Sequence, residues 1–156
     1  MPKLAGVNLA GVLLATIAAY FVGYIWYGLV FQLDWLTEIM RVRGLSADQL
    51  ATMDAAALGE ALAATNPSAN MGLYMGFGFF LTLLTVFVLA IVLKAFAATG
   101  VVQNLGRAAL VCVGFAIPML ANDVVYGLEP LKLFYIDASY ALASYLVPAL
   151  ILSFFD

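Results

Sequence analysis

Residues 4–33 read LAGVNLAGVLLATIAAYFVGYIWYGLVFQL, thirty positions without one charged side chain. A bilayer core needs about 20 predominantly apolar residues to be crossed by one helix. The stretch is therefore long enough to span, and its composition favours hydrocarbon over water. Three further uncharged runs follow: Ala61–Leu93, Ala108–Asn122 and Ala138–Phe155. The whole chain has 156 residues, of which 66% are hydrophobic and 10% charged. Its mean hydropathy is +1.09. Soluble domains are near half apolar and a quarter charged, so a water-soluble monomer is excluded. The expected fold class is all-α membrane protein. Four transmembrane helices form one bundle over residues 1–156, with spans at about 8–31, 71–93, 108–126 and 133–155.

Between the first two spans lies the one long polar segment, residues 34–70. Ser46-Ala47-Asp48-Gln49 has the form of a capping box, in which a hydroxyl and a Gln three residues on satisfy each other's backbone donors. Asp54–Ala64 is rich in alanine, a strong helix former. One or two short surface helices are expected here. An isolated helix this short is marginal in water, so Leu45, Leu50, Met53, Leu58 and Leu62 are expected to hold it against a platform. Lys94–Arg107 reads as a short loop. Lys3 before an apolar run resembles a signal peptide. The run is far too long for one, however, and Trp26-Tyr27 stands where a small-residue cleavage site would lie. It reads as a helix that stays in place.

Composition excludes much chemistry. With no histidine, His-ligated haem, His-based zinc sites and Ser-His or Cys-His nucleophiles are out. A single cysteine, Cys112, allows no intrachain disulfide. Too few charges remain for a nucleic-acid surface, so no nucleic-acid partner is expected, nor any cofactor. Membrane lipid and other membrane protein, or further copies of this chain, are the expected partners. An enzyme is not expected, since acid–base work would rest on Asp and Tyr alone.

Three sets of residues are candidates for function. Gly11, Ala15, Ala19 and Gly23 recur at four-residue steps, and Gly72 and Gly76 repeat the pattern. Small residues on one face let helix backbones approach closely in lipid. Because one residue in four is Gly or Ala, the pattern fits packing within the chain as well as contact with another. The second set is polar: Asn122, Asp123, Asp137 and Tyr140. Ionisable residues inside spans are costly, which makes them functional candidates. Asp137 sits about one turn inside the fourth span, where a helix N-terminus favours a carboxylate. Lys132, Arg41 or Arg43 could neutralise Asp137 or Asp123. The third set is the interfacial aromatics Trp26, Tyr27 and Trp35, residue types that favour the lipid–water boundary. Pro118, with Gly114 one turn before it to ease the clash, and Pro148 mark expected kinks.

Gly23-Tyr24-Ile25-Trp26-Tyr27-Gly28-Leu29-Val30-Phe31, followed by Trp35 and the Gly44-Leu45-Ser46 turn, is one distinctive stretch. Pro130-Leu131-Lys132-Leu133-Phe134-Tyr135-Ile136-Asp137-Ala138-Ser139-Tyr140 is the other. Together with length and spacing they resemble the bacterial membrane family called domain of unknown function 1761, over nearly the whole chain. Leu29 stands where that family often has proline, and Glu129 where a basic residue often precedes Pro130. The resemblance implies four spanning helices in a bacterial cytoplasmic membrane and no particular activity. It singles out Trp26, Tyr27, Asp137 and Tyr140.

An even number of spans puts both termini on one side. Lys3, Lys94 and Arg107 fall on that side, and Arg41, Arg43 and Lys132 on the other. Lys and Arg favour the cytoplasm. The tie is tipped by the amino terminus, so cytoplasmic termini are expected. The expected function is an accessory or structural membrane subunit. The alternative is a small-solute, ion or proton transporter unit using Asp123 and Asp137.

Overall fold

The computed structural model describes residues 3–155; Met1, Pro2 and Asp156, the last assigned by sequence to the face with the termini, lie outside the described residues. The first element was not foreseen. Lys3–Leu4 (β1) pairs antiparallel with Val7–Asn8 (β2). The turn residues Ala5 and Gly6 both have positive φ, 52° and 75°, as a two-residue hairpin turn requires. Asn8 does not lie inside the first span as expected. It is the N-cap of α1 (Leu9–Ile25), accepting from the backbone N–H groups of Ala10 at 3.1 Å and Gly11 at 3.4 Å.

Four helices are long and apolar enough to cross a membrane: Leu9–Val30, Met71–Ala95, Gly100–Gly127 and Leu131–Leu152. The first is α1 extended by a π turn at Trp26–Val30. The second is α5. The third departs from expectation, because residues 100–107 are helix and not loop. It consists of α6 (Gly100–Val111), a π turn at Cys112–Ala116, and α7 (Ile117–Gly127). Polar residues near the membrane surface continue a helix as well as end one. Asn104 is fully buried and donates to the Gly100 carbonyl at 2.9 Å, and Arg107 reaches the Phe96 carbonyl. The π turn ends just before Pro118, at the second position of α7. There the wider turn accommodates the missing donor, where a simple kink eased by Gly114 was expected. The fourth span, α8, starts at Leu131, two residues earlier than expected, and carries Pro148 in its interior.

Between the first two spans run three surface helices: α2 (Gln32–Val42), α3 (Ala47–Ala51) and α4 (Ala55–Ala64). The expectation of one or two omitted α2. Ser46 and Gln49 form the reciprocal capping box, at 2.9 and 3.3 Å. Asp54 caps α4 through the Ala57 N–H at 2.8 Å. Leu36, Met40, Leu50 and Leu58 form a small core of their own, with Trp35, Leu45, Met53 and Leu62 against it.

Spans one and four form the closest-packed pair; span two flanks the first and span three the fourth. Val12, Ala15 and Ala19 meet Val86, Leu89, Ala90 and Leu93 of α5, Ala108 of α6, and Ala149 and Leu152 of α8 in one core. The Gly11–Gly23 stripe lies at this seam. A Cβ placed on Gly11 would sit 2.8 Å from Cγ of Phe155, and one on Gly23 would sit 3.2 Å from Oη of Tyr140. Gly72 and Gly76 are different: both are exposed, and a Cβ on Gly76 would meet nothing within 4 Å. Only 11% to 28% of each span's most apolar stretch is buried in the chain. Such exposed apolar surface is untenable in water but ordinary against lipid.

Ala15 is completely buried, and overpacking a close-packed site costs about 1–3 kcal/mol. Ala15→Leu is therefore expected to lower the thermal unfolding midpoint in detergent, while Gly76→Leu leaves it within experimental error. Equal effects would contradict the seam.

Candidate functional site

The π turn that ends the first span places two consecutive aromatic residues against α8. Trp26 Nε1 donates to the Ile136 carbonyl at 3.2 Å. Tyr27 Oη donates to Asp137 Oδ1 at 2.8 Å. The Tyr27 ring also meets Tyr140 edge-on, with centroids 4.9 Å apart, and tilts against Trp35 at 5.3 Å. The Trp26 and Phe31 rings meet at a tilt, with centroids 5.3 Å apart. The result is a half-buried cluster of Trp26, Tyr27, Trp35, Asp137 and Tyr140. It knits the exit of span one, the first turn of α2 and the second turn of α8. Lys132 Nζ lies 2.6 Å from Asp34 Oδ1 across its outer edge, with both side chains about half exposed.

Asp137 lies deeper than expected. It stands six positions after Leu131, a rise of about 9 Å. That is beyond the free N–H groups of the first turn, so the helix terminus does not hold the carboxylate. A phenolic hydroxyl from the first span does. Nor do the expected cations reach it. Lys132 pairs with Asp34, and Arg41 lies 3.3 Å from Glu38 Oε2. Arg43 donates to the Thr65 hydroxyl. Glu38 is buried among the apolar side chains of the surface helices, and that ion pair stands outside hydrogen-bonding geometry.

The expected polar set of four is divided. Asp137 and Tyr140 come together with the three aromatics. Asn122 and Asp123 are exposed on α7, and no hydrogen bond joins them to Asp137 or Tyr140 among the described residues. The Asn122 amide lies 3.9 Å from Met119 Sδ. The Asp123 carbonyl accepts from the N–H groups of Leu128 and Glu129. That closes α7 with Leu128 in the left-handed region, at φ 54°. Cys112 is buried and free. No group of three His, Cys, Asp or Glu side chains converges among the described residues.

The cluster's chemistry is positional. A phenol-to-carboxylate bond and an indole-to-carbonyl bond fix one helix end against another at the depth where amphipathic rings are most stable. The residues that build it coincide with the two distinctive stretches of sequence, and the comparison with known families agrees. The sequence matches the family described as Protein of unknown function (DUF1761) over residues 10–153. The chain belongs to this family. No curated protein and no solved structure matches it. The DUF1761 match takes in all four spans and the surface helices, so the aromatic–carboxylate cluster lies wholly within the family region.

Tyr27→Phe removes the only hydrogen bond to the Asp137 side chain among the described residues and leaves a half-buried carboxylate, a change worth about 1–3 kcal/mol. It is expected to lower the unfolding midpoint and speed hydrogen exchange across residues 26–36. Lys132→Gln breaks an exposed pair worth about 0–1 kcal/mol and should do neither. Comparable losses in the two variants would remove the cluster from its central place.

Proposed function

We propose that this DUF1761 protein is a non-enzymatic structural or accessory subunit of a bacterial cytoplasmic membrane, packing with other membrane proteins or with copies of itself. The observation that supports this reading best is the third span. Only 11% of its most apolar stretch is buried in the chain, and Leu110, Phe115, Met119 and Val125 point outward along its length. With Gly106 a turn before them, Gly114 among them and open space beside both, this face offers the knobs and gaps by which helices associate in lipid. The engagement of Asp137 by Tyr27, with no hydrogen bond joining Asp123 to it among the described residues, favours this role over ion or proton transfer through the bundle. Lys94 and Arg107 at the end that carries the termini support a cytoplasmic placement of that end. The opposite end carries the acid-rich surface helices.

The test is gentle extraction from native membranes followed by cross-linking and native mass spectrometry. A discrete complex, weakened when Gly114→Leu alters the third span, is the expected result. A strictly monomeric particle, together with proteoliposome ion flux abolished by Asp137→Asn, would replace this reading with a transport function.

A further inference from the structure

Tyr145 stands on α8 well inside the fourth span. It lies eight positions past Asp137 and seven short of Leu152, distances of about 12 and 10 Å along the helix. Its ring packs against the common core of the bundle. Its hydroxyl has no hydrogen-bond partner among the described residues, and the Cys112 thiol lies within electrostatic reach without bonding to it. A hydroxyl moved from water into hydrocarbon without a partner costs about 1–3 kcal/mol, and the bilayer core holds no water to supply one.

The same residue lines a cavity of about 250 Å³ between span two and spans three and four. Its α5 wall runs from Leu84 to Val92, a rise of about 12 Å, and Val111 lines it from α6. Leu84 and Val88 are half exposed, so the cavity opens at the outer surface of the bundle. Thr85 is the other polar residue along it, and that hydroxyl is donated to the Leu81 carbonyl at 3.0 Å. The slot is therefore apolar with one free donor, the Tyr145 phenol.

A molecule that satisfies this slot enters from hydrocarbon and carries a hydrogen-bond acceptor at mid-span depth. A phospholipid acyl chain has none there, because its ester carbonyls stay at the membrane surface. Fatty acids and sterols also keep their polar group at the surface, about 10 Å or more from Tyr145. An isoprenoid quinone differs, since its carbonyls sit on an apolar ring that dissolves in the hydrocarbon layer itself. Pockets for whole drug-sized ligands measure about 300–1,000 Å³. The smaller volume here suits one ring with its tail left in the bilayer.

We propose that this slot binds the ring of an isoprenoid quinone, one carbonyl accepting from the Tyr145 hydroxyl and the tail leaving by the open side at Leu84 and Val88. The site stands apart from the Tyr27–Asp137 cluster and does not depend on the proposed subunit role.

Native mass spectrometry of the full chain in detergent, titrated with decylubiquinone, tests it. Decylbenzene, which has a ring and the same tail but no carbonyl, is the control. One quinone per chain is expected, and no decylbenzene. Tyr145→Phe keeps the packed ring and should weaken quinone binding about fivefold, the worth of one neutral hydrogen bond. Val111→Phe fills the slot and should lower binding with the phenol intact. Tyr126→Phe, on the exposed face of α7, should leave it alone. Absence of bound quinone, or binding indifferent to Tyr145→Phe, overturns the proposal. Equal binding of decylbenzene overturns it by showing a slot for hydrocarbon alone. A benzophenone side chain introduced at Val88 that captures only another protein chain in native membranes overturns it too, by showing the slot covered by a helix.

Discussion

Hydrocarbon outside a helix bundle removes the force that assembles proteins in water. Lipid tails are as apolar as leucine, so burying leucine against leucine gains little. Association then depends on how closely backbones approach, and in this chain that closeness is concentrated along one seam. Gly11, Ala15, Ala19 and Gly23 present almost no side chain to α8, and Phe155 and Tyr140 occupy the space. Thr16 sits on the same buried side and satisfies its hydroxyl on the Val12 carbonyl at 2.8 Å, so the seam carries no unpaired donor there. Spans two and three are secured largely through the pair that this seam unites.

The two ends of the first span are fixed in different ways. At one end, a two-residue hairpin turns the chain into Asn8, whose side chain caps α1. At the other, the π turn delivers Trp26 and Tyr27 to α8. A π turn inserts one residue beyond the α repeat and re-aims the side chains that follow. That gives neighbouring aromatics, which a regular helix would splay about a quarter turn or more apart, one common target. The surface helices follow directly from this anchor, through Trp35 against Tyr27 and Asp34 against Lys132.

Much of the architecture could be read from the chain. Uncharged runs located four spans, because transfer into hydrocarbon is a property of composition. The Ser46–Gln49 box is local chemistry and formed as its spacing implied. The start of the third span was not legible. Hydropathy marks the uncharged run, and the helix begins before it, through Gln103, Asn104 and Arg107. Asp137 was misplaced for the same reason, since two extra residues of α8 carried it past the helix terminus. Its partner could not be read at all. Tyr27 and Asp137 are 110 residues apart in sequence, and only the approach of α1 to α8 joins them. Likewise Lys132 chose Asp34, not Asp123 or Asp137. Glycine spacing marked both the Gly11–Gly23 stripe and Gly72–Gly76. Which of the two faces a neighbour depends on where the neighbouring helix lies.

The account stands on four crossings of the bilayer, with the surface helices on one side and the Lys94 end on the other. Single cysteines at Ser68 and Ala97, each in a Cys112→Ala background and in sealed vesicles of known orientation, test this with a membrane-impermeant maleimide. One site should label from outside and the other only after permeabilisation. Labelling of both from the same side of intact vesicles would contradict the topology and the roles argued from it.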